Sequence, residues 1–142
     1  PEATDYLFRH TSDTTMVGLD VTLRTLLTTA ESARWRATGT HAGRIFADMV
    51  DYYIRAYATT SPHLDGCGLH DPLAVAVAAD ATLVDVLSIN LKTDTTGPTR
   101  GRTIADEKRL DAPPTARVAV GVDSERFVRE FVERLETLFS QL

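Results

Sequence analysis

Apolar positions along the chain fall into a few clear periodicities. From Thr40 onward, Ile45, Phe46, Met49, Val50, Tyr53, Ile54 and Tyr57 repeat at the 3.6-residue period of one helical stripe. They predict a helix that runs from an N-cap at Thr40 to about Ala58. Phe127, Val128, Phe131, Val132, Leu135, Leu138, Phe139 and Leu142 make a second stripe, capped by Asp123 or Ser124. Between these lies Leu73 to Ala79, seven small apolar residues with no polar face, which predicts a buried helix. Pro72 suits the first helical position and Asp71 the N-cap, so His70 and Asp71 form a polar tip behind the glycines at 66 and 68.

Other stretches read as strands. Thr15 to Thr22 is β-branched and apolar around Gly18, as a central strand approached closely at the glycine would be. Leu87, Ile89 and Leu91 alternate with polar residues, Arg100–Asp106 is a weaker candidate, and Val118, Val120 and Val122 alternate again. Three strands in succession predict a meander or the edge of a mixed sheet. A short helix or turn is expected over Pro1–Phe8, a short helix over Ala30–Ala37, a connector over Leu23–Thr28, and a loop over Thr59–Gly68. The order of elements is α/β. The strand near Val17 lies about sixty residues from the later ones and lacks local partners, which predicts an open pairing edge and a chain that, by itself, is poorly soluble or oligomeric; a homo-oligomer is expected.

The chain has 142 residues, enough for one core and one domain. A net charge of -5 excludes a general nucleic-acid or anionic-membrane surface. No apolar run is long enough to cross a membrane. Cys67 is the only cysteine, so no internal disulfide forms, and a reducing cytoplasmic setting is expected. The chain opens on Pro1 without an initiator Met, which predicts a chain that has been processed, cut, or taken from within something longer.

Dinucleotide, P-loop, EF-hand, zinc-protease and G-x-S-x-G signatures are all absent. What remains is the His70-Asp71 tip, and four stretches around it form a pattern. Leu69-His70-Asp71-Pro72-Leu73-Ala74-Val75-Ala76 resembles the signature of the inosine–uridine preferring nucleoside hydrolase family. Gly18-Leu19-Asp20-Val21-Thr22 resembles that family's G-L-D-V-T stretch, and Thr99 to Asp106 its T-R-G-x-T-x-x-D segment. Val118 to Leu135 resembles its last strand and helix, and Pro1-Glu2-Ala3 its D-P-E-A run. The resemblance spans the whole chain but only about the C-terminal half of a family member. It implies the C-terminal part of an open, mostly parallel sheet with flanking helices, completed by a missing N-terminal half.

The resemblance further implies calcium-dependent cleavage of the N-glycosidic bond of ribonucleosides by water, in nucleoside salvage. On the matching positions His70 is the leaving-group acid and Asp71 a calcium ligand. Tyr57 and Tyr53, one helical turn apart, are substrate-binding candidates at the base pocket, although the apolar stripe accounts for both without a ligand. His70 points to the inosine–uridine or pyrimidine types rather than the purine-specific type. One tension follows from elementary electrostatics: a helix N-terminus disfavours imidazolium, so nearby carboxylates or the bound base must offset it.

The family's aspartate-rich motif and ribose-binding residues have no match here. Asp48, Asp51, Asp65 and Asp94 are scattered and read as surface charge. One ligand falls short of the six to eight oxygens Ca²⁺ takes, so the chain alone is expected to be inactive. The alternative is a non-catalytic nucleoside-binding or interaction module that retains this half alone. Arg100 and Arg102 read as solvated, and Cys67 as inert.

Overall fold

The computed structural model describes residues 1–142. In chain order, helix α1 spans Glu2–His10, strand β1 Thr14–Met16, helix α2 Leu19–Thr22 and strand β2 Leu26–Leu27. Helices α3 (Thr29–Ala37) and α4 (His41–Thr60) follow, then β3 (Cys67–Gly68), α5 (His70–Ala79) and a 3₁₀ turn, Ala81–Leu83. The chain ends with β4 (Val84–Ile89), β5 (Leu91–Thr93), β6 (Thr103–Ala105), β7 (Ala116–Val122) and α6 (Ser124–Ser140). These elements form two compact units: Pro1–Gly18 with Val84–Gly121, and Leu19–Leu83 with Val122–Leu142.

The first unit is built on an open three-stranded sheet in the order β1-β7-β4. β1 and β7 run parallel, Thr14 opposite Ala116 and Met16 opposite Val118. The first strand therefore has a partner after all, about a hundred residues downstream, while its other edge is unpaired within the chain. The expected meander is only partly present. β5 and β6 make an antiparallel hairpin, but β7 leaves it for β1.

The single strand expected around Val86–Leu91 divides at Asn90 between two sheets. Asn90 is buried, and its carboxamide is fully used. Nδ2 donates to the carbonyls of Arg109, Ala112 and Pro113 at 2.9 to 3.1 Å, and Oδ1 accepts from Arg109 and Thr115. A polar side chain so buried must be satisfied, and satisfying it here pins the proline-bearing loop. Phe8, Leu91 and Ala116 form the core, with Met16, Ile89 and Val118 against it. α1 is tied down through Asp5, which accepts from the Thr93 N–H at 2.9 Å, and through Arg9, paired with Asp5 and the buried Asp106.

In the second unit both amphipathic stripes are helices with the expected caps. Thr40 accepts from Gly43 N–H and Asp123 from Arg126 N–H. α3 starts on a capping box between Thr28 and Glu31. Trp35 stands edge-on to Phe139, ring centroids 5.8 Å apart, and its indole N–H reaches the Val132 carbonyl at 3.2 Å. The buried side chains of Leu27, Leu73, Val21, Phe127 and Val132 complete this core.

Three expectations are corrected here. Leu19–Thr22 is helical rather than the second half of a strand. Val21 and Thr22 are both buried while Leu19 and Asp20 are exposed. Neighbouring residues cannot share one face of a strand but can share one side of a helical turn. Second, α5 begins at His70, with Leu69 at the cap position and no side-chain capping bond, so Asp71 is not the N-cap but sits exposed in the first turn. The reason is Leu69, whose buried side chain and N–H, bonded to the Thr25 carbonyl at 2.9 Å, hold the residue before the helix in a non-helical conformation. Third, α5 is not buried all round. Leu73 and Val77 face the core, but Val75 is 71% exposed and Ala74, Ala78 and Ala79 lie open.

Candidate active site

The expected connector and loop on either side of α3 and α4 each contain a short strand, β2 and β3, paired antiparallel with Leu26 opposite Gly68 and Leu27 opposite Cys67. This pairing, with the Leu69 to Thr25 bond, fixes the turn that delivers His70. Neither strand showed in the apolar pattern, because two residues are too few to display alternation.

The imidazole of His70 is engaged at both nitrogens. Nδ1 is 2.7 Å from the Thr22 hydroxyl at the end of α2, and Nε2 is 2.6 Å from the Tyr57 hydroxyl on the last turn of α4. The Tyr53 ring meets the Tyr57 ring edge-on at 5.0 Å, and Tyr53 remains partly open to solvent. The Tyr57 hydroxyl beside it, together with burial, holds the Tyr53 phenol above its ordinary value. His70, Tyr57 and Tyr53 are thus brought together, as their positions on α4 and α5 allow.

Tyr53, Cys67, Gly68, His70 and Asp71 line a mainly apolar cavity of about 230 Å³. Small-molecule sites usually enclose roughly 300–1,000 Å³, so this cavity has the size of part of a site. Burial pushes the Cys67 thiol up, which keeps it a thiol and leaves it without nucleophilic character. Gly68 lies close against the Cε1–Nε2 edge of the ring. A Cβ there would stand 2.7 Å from Cε1 and 2.8 Å from Nε2 of His70. Thr22 and Gly68 are contacts of the imidazole that the sequence pattern did not single out. Thr22 lies 48 positions from His70, and no local spacing signals that meeting.

Asp71 projects from the first turn of α5 with its carboxylate exposed. No group of three or more His, Cys, Asp or Glu side chains is placed to hold a metal ion. Asp48 and Asp51 instead pair with Arg36, both at 2.7 Å, and Asp94 accepts from Thr99. Arg100 is taken up by Glu2 at 2.7 Å.

The family model described as inosine-uridine preferring nucleoside hydrolase matches residues 1–129. The chain belongs to this family. Within the family, it is 33% identical over 138 residues to the pyrimidine-specific ribonucleoside hydrolase RihA of Salmonella arizonae, covering 96% of this chain and 44% of that relative. It is 30% identical over 140 residues to the inosine-uridine preferring nucleoside hydrolase of Crithidia fasciculata, covering 97% and 44%. Among solved structures, the purine-preferring ribonucleoside hydrolase from Gardnerella vaginalis superposes with a TM-score of 0.96 at 58% identity, over 100% of this chain and 45% of that one. The chain therefore spans somewhat less than half the length of the relatives it matches. The α/β architecture with an open sheet that contains a parallel pair is the fold of this nucleoside hydrolase family.

Proposed function

We propose that the chain is the leaving-group half of a calcium-dependent ribonucleoside hydrolase, acting as part of a longer nucleoside hydrolase. "Complete enzyme" below means this chain together with the region its relatives carry beyond it. The observation that carries this reading is the imidazole of His70, bonded at both nitrogens beside the cavity that Tyr53 and Asp71 also line.

The chemistry follows from what each group can do. In the reaction the C1′–N bond breaks, water's oxygen bonds to C1′, and the base departs with the bonding electrons. The base takes a proton from His70, and water's surplus proton goes to a carboxylate in the companion half. Since Nε2 already holds the Tyr57 hydroxyl, that hydroxyl is next in line between the ring and the base. Tyr53, with its ring partly open, offers a face to the base.

Asp71 fits the part of one calcium ligand, being a free-standing carboxylate next to His70. When bound, calcium orients the water and the ribose hydroxyls. The other oxygens must come from the companion half, because this chain gathers no group of three or more His, Cys, Asp or Glu side chains that could hold a metal ion. Calcium added to this chain alone is therefore expected to leave its melting temperature unchanged, whereas the complete enzyme gains several degrees. A shift of several degrees in the chain alone would mean that it holds a full ligand set.

The same absence of clustered acids is what favours the second reading, a nucleoside-binding module without catalysis. Calcium-dependent turnover by the complete enzyme decides against it. Neither reading involves membrane insertion, since no helix is long and apolar enough to cross a membrane. A single buried cysteine suits the reducing cytoplasm, and the unpaired outer edge of β1 suits a homo-oligomer.

For base preference, the 58% identity to a purine-preferring enzyme outweighs the sequence expectation drawn from His70 alone, and we assign a purine nucleoside as substrate. Inosine should then give a kcat/KM at least about tenfold above that for uridine, a difference of roughly 1.4 kcal/mol in transition-state binding. A uridine preference in the same assay would return the chain to the pyrimidine type.

A further inference from the structure

We infer that Thr22 is a positioning residue for His70: its hydroxyl fixes the imidazole so that Nε2 faces Tyr57, while Gly68 leaves the space in which the ring lies. The inference rests on the reading of His70 as leaving-group acid for its kinetic consequence, but the placement of the ring is a separate matter and is tested separately.

The geometry narrows the hydrogen-bond pattern. Thr22 is 2% exposed, and its hydroxyl makes one hydrogen bond, to Nδ1 of His70 at 2.7 Å. A buried hydroxyl that only accepted there would leave its own hydrogen without a partner, a loss of stability that native structures avoid. In the resting, neutral form of the ring the Thr22 hydroxyl therefore donates and Nδ1 accepts, whereas in the imidazolium form that acts as the acid Nδ1–H donates to the same oxygen. A neutral imidazole carries one proton, so it resides on Nε2, which donates to the Tyr57 oxygen at 2.6 Å.

The backbone helps to hold Thr22 in place. Its carbonyl accepts from the Thr25 hydroxyl at 2.8 Å, and the Thr25 carbonyl in turn receives the Leu69 N–H one residue before the histidine. The hydroxyl and the ring it orients are thus anchored to the same short piece of backbone.

Gly68 acts from the opposite side. Any Cβ would meet Cε1 at 2.7 Å, Nε2 at 2.8 Å and the Tyr57 oxygen at 3.2 Å, closer to the ring than real Cβ contacts come. Gly68 cannot easily retreat, because β3 pairs it with Leu26. A methyl group there must push the ring or the tyrosine aside. Thr22 and Gly68 thus restrain the same imidazole by unrelated means, a hydrogen bond and a vacancy.

The test uses the complete, calcium-loaded enzyme with ¹⁵N-labelled histidine, at a pH where imidazole side chains are neutral. The His70 ring signals are assigned by their loss in His70→Gln. Wild type should show one tautomer, protonated at Nε2. Thr22→Val, which keeps the shape and removes the hydroxyl, should mix the tautomers, and Thr22→Ser should restore the wild-type pattern. In the same samples Thr22→Val should lower kcat on inosine about tenfold, the scale on which outer partners of a functional histidine act. KM should stay close to wild type, and activity on a nitrophenyl riboside should fall less.

A folded Thr22→Val enzyme with wild-type ring signals would overturn the inference. Should that variant not fold, Gly68→Ala decides: a displaced His70 Nε2 signal upholds the restraint, and unchanged ring signals refute it. If His70→Ala slows both substrates equally, the acid reading falls, and the ring signals still decide the role of Thr22.

Discussion

Asp71→Ala in the complete enzyme lowers kcat about a thousandfold on inosine and on a nitrophenyl riboside alike. The carboxylate is exposed in the first turn of α5 and does not cap the helix, so removing it leaves the fold of this chain intact. On the proposed reading, the variant loses a calcium ligand that acts on the ribose and the attacking water, and both substrates share these. A thousandfold is about 4 kcal/mol, within the several kcal/mol by which a bound metal stabilises transition-state charge. Calcium affinity falls in parallel, and Asp71→Asn, which keeps an oxygen but not the charge, falls between wild type and Asp71→Ala. Steady-state kinetics on both substrates with a calcium titration checks this. A loss confined to inosine, or an unchanged calcium affinity, would remove Asp71 from the metal.

His70→Ala gives the opposite pattern: a fall of about 10²–10⁴ in kcat on inosine and little change on the nitrophenyl riboside. Hypoxanthine is a poor leaving group and needs the proton that the proposed reading assigns to the imidazole, whereas nitrophenolate departs as an anion unaided. The half-buried ring is held by hydrogen bonds from two sides, so its removal also frees the Thr22 and Tyr57 hydroxyls. Circular dichroism on the variant separates a loss of fold from a loss of chemistry. The two variants on the two substrates yield four rate constants. Equal losses on both substrates for His70→Ala would make the residue structural.

The long apolar stripes were legible in the sequence because each spans several helical turns and buries one continuous face, and α4 and α6 follow them with their expected caps. The grouping of His70 and Tyr57 was half-legible: the resemblance assigned both to the pocket, and the structure adds that they bond directly at 2.6 Å. What the pattern could not give was Leu19–Thr22. β-branched residues next to a strand look like more strand, and only the packing of Val21 and Thr22 on one side shows the helical turn. The seven apolar residues of α5 implied burial on every side, yet composition cannot say which residues supply the cover. Thr22 escaped notice for a related reason, since its partner is set by the tertiary fold and not by spacing.

The parallel pairing of Thr14–Met16 with Ala116–Val118 also carries a consequence in time. On the ribosome β1 emerges about a hundred residues ahead of its partner, which at roughly 5–20 residues per second means a wait of about 5–20 s. The whole Leu19–Leu83 segment is synthesised within that interval, and the contacts of α3 with α4 and of β2 with β3 are all made inside it. Closing so long a loop is slow compared with forming such local contacts. The order of assembly is therefore inside out: the inserted helices gather first, and the strand that begins the fold is among the last pieces to find its place.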